Sequence, residues 1–224
     1  MKSWFTIDGN LEPIEFAGPS YLRFPLELAS LLIDRYSRLG DWVLDPFCGF
    51  GTTVAAGQSL GRKVVGFERD TSRGMFASDR AVAPSRVIIN DIRKIGDYEL
   101  PKFDLLLTSP PYSSLGERTV KCSRSYLDDF RDGFVKILPY MQLGAKVIVE
   151  LSNVRVADGV RTVLWDAGKV LASIFHLEDE LVRCNMGTEP AAPGFNHSTF
   201  LILSVPTDGN DSVPPPRVNY LSEQ

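Results

Sequence analysis

A chain of 224 residues is long enough for one α/β domain with a full core. Hydrophobic residues make up 44% and charged residues 23%, close to the balance of a soluble globular protein. The 24 basic residues against 28 acidic give a net charge of −4, which argues against a broadly basic nucleic-acid surface while leaving room for one positive face.

Cys48, Cys122 and Cys184 are widely spaced and form no CxxC pair, so neither a disulfide framework nor a metal site is expected. No apolar run suits a bilayer and no signal-peptide pattern opens the chain, so a cytoplasmic protein with no membrane partner is expected.

Apolar runs alternate with helix-period segments from about residue 20 to residue 205. Strands are predicted at 42–44, 63–67, 86–89, 103–107, 146–150, 177–183 and 199–204. Helices are predicted at 53–60, from after residue 67 to about 83, at 126–141 and at 161–175. Near-continuously apolar strands separated by helix-length segments imply a parallel sheet covered on both faces. Residues 113–125, 152–159 and 185–197 read as loops. The tail 207–224, with Pro214-Pro215-Pro216, is expected to lie extended or disordered outside a single domain of residues 1–206.

Asp45-Pro46-Phe47-Cys48-Gly49-Phe50-Gly51-Thr52-Thr53 joins the first predicted strand to its helix. In open parallel sheets, ligands bind beyond the carboxyl ends of the strands. Gly49 and Gly51 allow a tight turn and close backbone approach, and Thr52 suits the cap of the following helix. GxGxxG is absent, and no Lys stands where a phosphate-binding loop needs one. Asp45 beside the turn suits an ammonium group and would repel a pyrophosphate. The second strand ends in Glu68, suited to a ribose diol, and the third in Asn90-Asp91, suited to an adenine amino group. Each acid alone is as well explained by a turn. Three at consecutive strand ends outline a nucleoside carrying a cationic amino acid.

Thr108-Ser109-Pro110-Pro111-Tyr112 follows the fourth strand. Two prolines fix φ twice and remove two donors, leaving a rigid turn with free carbonyls. A base amino group is a poor nucleophile because its lone pair is delocalised into the ring. The Ser109 hydroxyl and the Pro110 carbonyl can accept its N–H bonds, and Tyr112 can stack on the base as positive charge develops. A plain strand-ending turn is the alternative.

These two motifs together resemble the amino-methyltransferases of the N4-cytosine and N6-adenine DNA type, over roughly residues 15–205. The resemblance implies a Rossmann-like seven-stranded methyltransferase sheet, mostly parallel with a reversed last strand and helices on both faces. It implies an S-adenosyl-L-methionine pocket lined by Asp45, Pro46, Phe47, Cys48, Gly49, Gly51 and Thr52. Glu68 and Arg69 would lie at the ribose, and Asp91 and Ile92 at the adenine. Tyr21, Phe24 and Pro25, in an N-terminal segment 1–40, would pack beside the methionine end. Ser109, Pro110, Pro111 and Tyr112 would form the catalytic loop.

Phe50 departs from the family's usual Ser, and the cofactor motif precedes the catalytic one where many N4-cytosine enzymes have the reverse. No insertion of target-recognition size is visible. Sequence reading would fall to short loops, a homodimer or a separate specificity partner.

Arg118, Lys121 and Arg124 against Glu117 are expected to hold backbone phosphates, or to form an ordinary solvated loop. Asn153 with Arg155 and Arg183 with Asn185 point to the same edge of the sheet as candidate substrate contacts. His197, before the last strand, is expected to contact base or phosphate, with packing or capping as the alternative, and His176 reads as structural. The expected substrate is double- or single-stranded DNA, with cytosine N4 preferred because Ser109 stands where adenine enzymes more often have Asp. Adenine N6 of DNA and guanine N2 of RNA are the alternatives, followed by a non-catalytic methyltransferase subunit. Association with a restriction-modification system is the expected context.

Overall fold

The computed structural model describes residues 4–7, 11, 14–16, 23, 25–111, 124–185 and 197–207. The strands are β1 (Trp4–Ile7), β2 (Trp42–Asp45), β3 (Lys63–Glu68), β4 (Arg86–Ile89), β5 (Phe103–Thr108), β6 (Met141–Leu151), β7 (Val154–Val156), β8 (Gly159–Arg161), β9 (His176–Asn185) and β10 (His197–Ser204). The α-helices are α1 (Leu26–Tyr36), α2 (Thr52–Ser59), α3 (Thr71–Ser78), α4 (Arg124–Ile137) and α5 (Val163–Ala172).

Eight strands form one sheet in the order β1-β9-β10-β6-β5-β2-β3-β4, while β7 and β8 pair separately. The pairs β2–β3, β2–β5, β3–β4, β5–β6 and β1–β9 are parallel. β10 runs antiparallel to both β6 and β9, so it is the reversed strand of the sheet. The seven expected strands are present, and β1 adds an eighth at the edge.

The strands read as apolar runs because alternate side chains enter two cores. Val43, Val64, Leu107 and Ile148 join the core with α1 and α2 residues Leu28, Leu32, Ile33 and Val54. Leu44, Val65, Leu106, Val147 and Val149 face the opposite way, against Phe130, Phe134, Ala167 and Leu171 of α4 and α5. Phe103 and Leu105 lie in opposite cores although two residues apart, and a register shift between them on β6 accounts for the broken alternation. In α1, Leu28, Ala29, Leu32 and Ile33 form the buried stripe expected at helical spacing.

Four local expectations change. Thr52 is not the cap of α2. Gly51 is the cap, at φ 75°, and Thr52 opens the helix. The stretch 152–159 is not a plain loop: Val154 pairs with Arg161 and Val156 with Gly159 in a hairpin that turns at Ala157-Asp158. The helix expected from residue 161 starts at Val163 because Arg161 belongs to that hairpin. The loop expected to reach residue 125 gives way to α4 at Arg124. The tail beyond residue 207 lies outside the described residues.

Candidate active site at the carboxyl edge of the sheet

Parallel pairing brings the ends of β2, β3, β4, β5 and β6 to one edge. The ends of β2 and β5 are neighbours, so the two turns singled out by sequence meet there. The Thr108 hydroxyl donates to Asp45 Oδ1 at 2.7 Å, and the Phe47 N–H donates to the same oxygen at 3.1 Å. Asp45 is buried, and burial pushes its carboxyl up to about 6 against these hydrogen bonds.

The glycine turn is held from beneath. The Cys48 N–H donates to the Phe67 carbonyl at 2.9 Å, and the Gly51 N–H to the Cys48 carbonyl at 2.8 Å. Gly49 has φ 51° and open space where a Cβ would stand. Gly51 needs its missing Cβ, which would come within 3.0 Å of the Ala77 Cβ. Pro46 and Cys48 are buried, and burial pushes the Cys48 thiol well up.

Glu68 braces this turn. Its Oε2 accepts from the Gly49 N–H at 3.0 Å, and its Oε1 accepts from the Asp70 N–H at 2.8 Å. Arg73 lies 3.4 Å from the same carboxylate. At the next strand end, Asp91 is gripped by Arg93 through both oxygens, at 3.0 and 2.8 Å. Those bonds hold its carboxyl below the usual range, with a further contribution from Arg69. Ile92 is buried behind Asp91. Both acids keep carboxylate lone pairs beyond these contacts.

Phe50 has a definite packing role. Its ring meets Phe16 at 4.8 Å and Phe76 at 5.9 Å, edge to face, and Phe16 meets Phe76 at 5.8 Å. The aromatic side chain ties the N-terminal segment to the glycine turn and α3. Pro25 caps α1 and is buried, while Tyr21 and Phe24 lie outside the described residues.

In the second turn, Ser109 is half-buried, Pro110 buried and Pro111 exposed. The Pro111 carbonyl accepts from the Tyr126 hydroxyl at 3.4 Å. Tyr112, Arg118 and Lys121 lie outside the described residues, as does the Arg124 side chain.

A residue not singled out from sequence stands beside Ser109. Thr108 pairs with Val149, which brings Ser109 level with Glu150 of β6. The Ser109 hydroxyl lies near enough to the Glu150 carboxylate to draw its titration down. Glu150 Oε1 also accepts from Ser198 at 2.5 Å and from Arg183 at 3.3 Å. Burial raises the Glu150 carboxyl, against the pull of Arg183, Ser198 and Ser109. The sequence signal was an acid at the end of a fifth apolar strand, the same pattern as Asp45 and Glu68.

The other expected substrate residues divide. Asn153 Oδ1 accepts from the Leu164 N–H at 3.1 Å, bracing the start of α5. His197 is exposed at the start of β10, and its carbonyl accepts from Ser152 at 3.3 Å. Arg183 is buried on Glu150 rather than facing solvent at the edge. His176, read as structural, is exposed at the start of β9.

The sheet order with one reversed strand, and acids and glycines at the carboxyl edge, is the Rossmann-like methyltransferase fold. The comparisons with known proteins agree with that fold. Residues 20–73 match the model of the DNA methylase family. Type II methyltransferase M.MthZI of Methanothermobacter thermautotrophicus is 55% identical over 47 residues, 21% of this chain and 13% of that protein. The tRNA (guanine(10)-N2)-dimethyltransferase of the same species is 32% identical over 99 residues, 41% of this chain and 29% of that protein. The chain therefore spans less than a third of the length of either relative. The crystal structure of TrmN from Thermus thermophilus superposes with a TM-score of 0.61 at 20% identity, over 81% of this chain and 49% of that one. Among the described residues, no helix is long and apolar enough to cross a membrane.

Proposed function

We propose that the protein is an S-adenosyl-L-methionine-dependent methyltransferase acting on an exocyclic amino group of a nucleic-acid base, with cytosine N4 of DNA as the target. The observation that carries this reading is the meeting of the glycine turn and the Ser109-Pro110-Pro111 turn, tied by the 2.7 Å Thr108–Asp45 hydrogen bond.

The residues present fit the cofactor. Open space at Gly49 leaves room for a ligand against the backbone. Asp45, ionised at neutral pH, suits the amino-acid ammonium. The lone pairs left on Glu68 suit a ribose diol, and Asp91 with Ile92 flanks the place of an adenine. The bound cofactor supplies an electrophilic methyl group on a sulfonium.

The chain's own residues position the amino nitrogen. With its O–H directed toward Glu150, Ser109 keeps its proton and turns its lone pairs outward to accept a base N–H, and the Pro110 carbonyl accepts the other. Holding both N–H bonds favours a pyramidal nitrogen whose lone pair faces the methyl group. Tyr112 supplies a stacking face. No strong base is needed, because the methylated nitrogen loses its proton readily. In a duplex the target base must leave the stack to reach Ser109.

RNA is the second reading, favoured by the tRNA enzyme, whose match covers 41% of this chain. Incubation with labelled cofactor and DNA or RNA, followed by hydrolysis, separates the two. Labelled N4-methylcytosine from DNA is expected, and label confined to RNA overturns the DNA assignment. Ser109→Ala and Tyr112→Ala are expected to impair transfer more than cofactor binding. An equal loss of cofactor affinity would remove the loop from the catalytic role.

A further inference from the structure

Beyond the two turns, the same edge carries an unusual cation. Arg161 ends the β7–β8 hairpin, which leaves the carboxyl end of β6 beside the strand bearing Ser109. Its relative exposure is 3%, yet its Nε has no hydrogen-bond partner, and among the described residues no carboxylate pairs with the guanidinium. A buried cation without a counter-charge is costly, and an anion arriving from outside would relieve that cost.

Two features around it suit an anion, set against the negative charge of Asp166 in the same turn. Thr162, the next residue, caps α5 without a side-chain bond to the backbone, so the positive end of the helix lies two residues from Arg161. The nearest acid in that turn, Asp166, is engaged by the Thr162 hydroxyl at 2.6 Å. Trp165, in the first turn of α5, is 60% exposed, a large aromatic with no core to fill. A cation four residues before an exposed indole at the start of α5 offers the two parts of a polynucleotide contact, charge for the phosphate and ring for the base.

We propose that Arg161 and Trp165 form a polynucleotide subsite flanking the target nucleotide, in which Arg161 takes a backbone phosphate and Trp165 stacks on a neighbouring base. The subsite rests on the nucleic-acid reading above and extends it to residues outside both motifs. It also gives a chain of net charge −4 a local means of holding a polyanion.

The test is binding of a fluorescein-labelled single-stranded oligodeoxynucleotide to the full chain across a salt series, with calorimetric titration of S-adenosyl-L-methionine alongside. Arg161→Gln is expected to weaken oligonucleotide binding about tenfold and lower the salt slope by about one, leaving cofactor affinity unchanged. Trp165→Ala, at an exposed position, is expected to weaken binding at least about fivefold with little change in slope. Because Arg161 lacks a counter-charge, Arg161→Met is expected to keep or raise the melting temperature while losing the stabilisation that the oligonucleotide gives the wild type. Wild-type oligonucleotide affinity in both Arg161→Gln and Trp165→Ala overturns the subsite. Loss of cofactor affinity in Arg161→Gln also overturns it, by making the guanidinium a partner of the cofactor carboxylate. Wild-type protein that binds and methylates neither DNA nor RNA overturns the functional reading itself, a result distinct from either of these.

Discussion

Thr108 and Asp45 lie 63 positions apart in the chain, and the hydroxyl of one donates to the carboxylate of the other at 2.7 Å. The bond closes the gap between β5 and β2 where both strands end. It places the residue that opens the Ser109 turn against the residue that opens the glycine turn, so the two turns share a buried hydrogen bond at their base.

Cofactor affinity should carry the titration of Asp45. Its carboxyl is pushed up to about 6 by burial. An ammonium partner requires the ionised form, so affinity for S-adenosyl-L-methionine should be level above about pH 6. Below that it should weaken towards tenfold per pH unit. Calorimetric titration at pH 5, 6 and 7 reads this directly, and an affinity constant over that range would remove Asp45 from the ammonium.

Stability should show the same group with the opposite consequence. Because the folded carboxyl titrates near 6 rather than 3.8, it favours the folded state below about pH 4, and that contribution disappears as pH rises through about 6. Asp45→Asn lacks the titration. Its unfolding free energy relative to wild type should rise by about 2 kcal/mol between pH 4 and pH 7, measured by urea denaturation. A difference that falls with pH would contradict the assignment.

Glu150 should act as a positioning residue through Ser109. Glu150→Gln keeps the size of the side chain but can no longer accept from Ser109, Ser198 and Arg183 as a carboxylate does. A fall in kcat of about tenfold or more is expected, with cofactor affinity held and a changed pH–rate profile. Were KM to rise with kcat unchanged, Glu150 would belong to binding rather than to the orientation of Ser109.

Phe50 should contribute stability where a smaller residue would not. Phe50→Ser removes both edge-to-face contacts, with Phe16 and Phe76, and leaves a cavity under the glycine turn. A loss of about 3 kcal/mol is expected in urea denaturation, with a weaker hold on the cofactor as the turn loosens. Unchanged stability would mean that Phe16 and Phe76 close the space between themselves.

Much of this was legible in the sequence, for an identifiable reason. Strands such as 63–67 and 146–150 are apolar on both faces, so their composition declares them without any partner being known. Asp45, Glu68 and Asp91 were visible because each follows such a run directly. Glu150 was equally placed, yet its contact with Ser109 depends on the β5–β6 register, which periodicity does not reveal. The β7–β8 hairpin is not legible from periodicity even though Asp-Gly is a turn signal, because three-residue strands carry almost no alternation. Arg161 is indistinguishable in the sequence from the first residue of a helix, and its burial is visible only in the fold. β1 is illegible for a similar reason: four residues separated from the rest of the sheet give no period to read.

That short strand has a consequence for the edge of the sheet. β9 pairs with β10 on one side and with β1 on the other, Trp4 against Val182 and Ile7 against Asn185. Without β1, β9 would present a row of unpaired backbone groups of the kind to which another chain adds. β1 thus serves as a seal, leaving a four-residue strand at that end of the sheet in place of a ten-residue one.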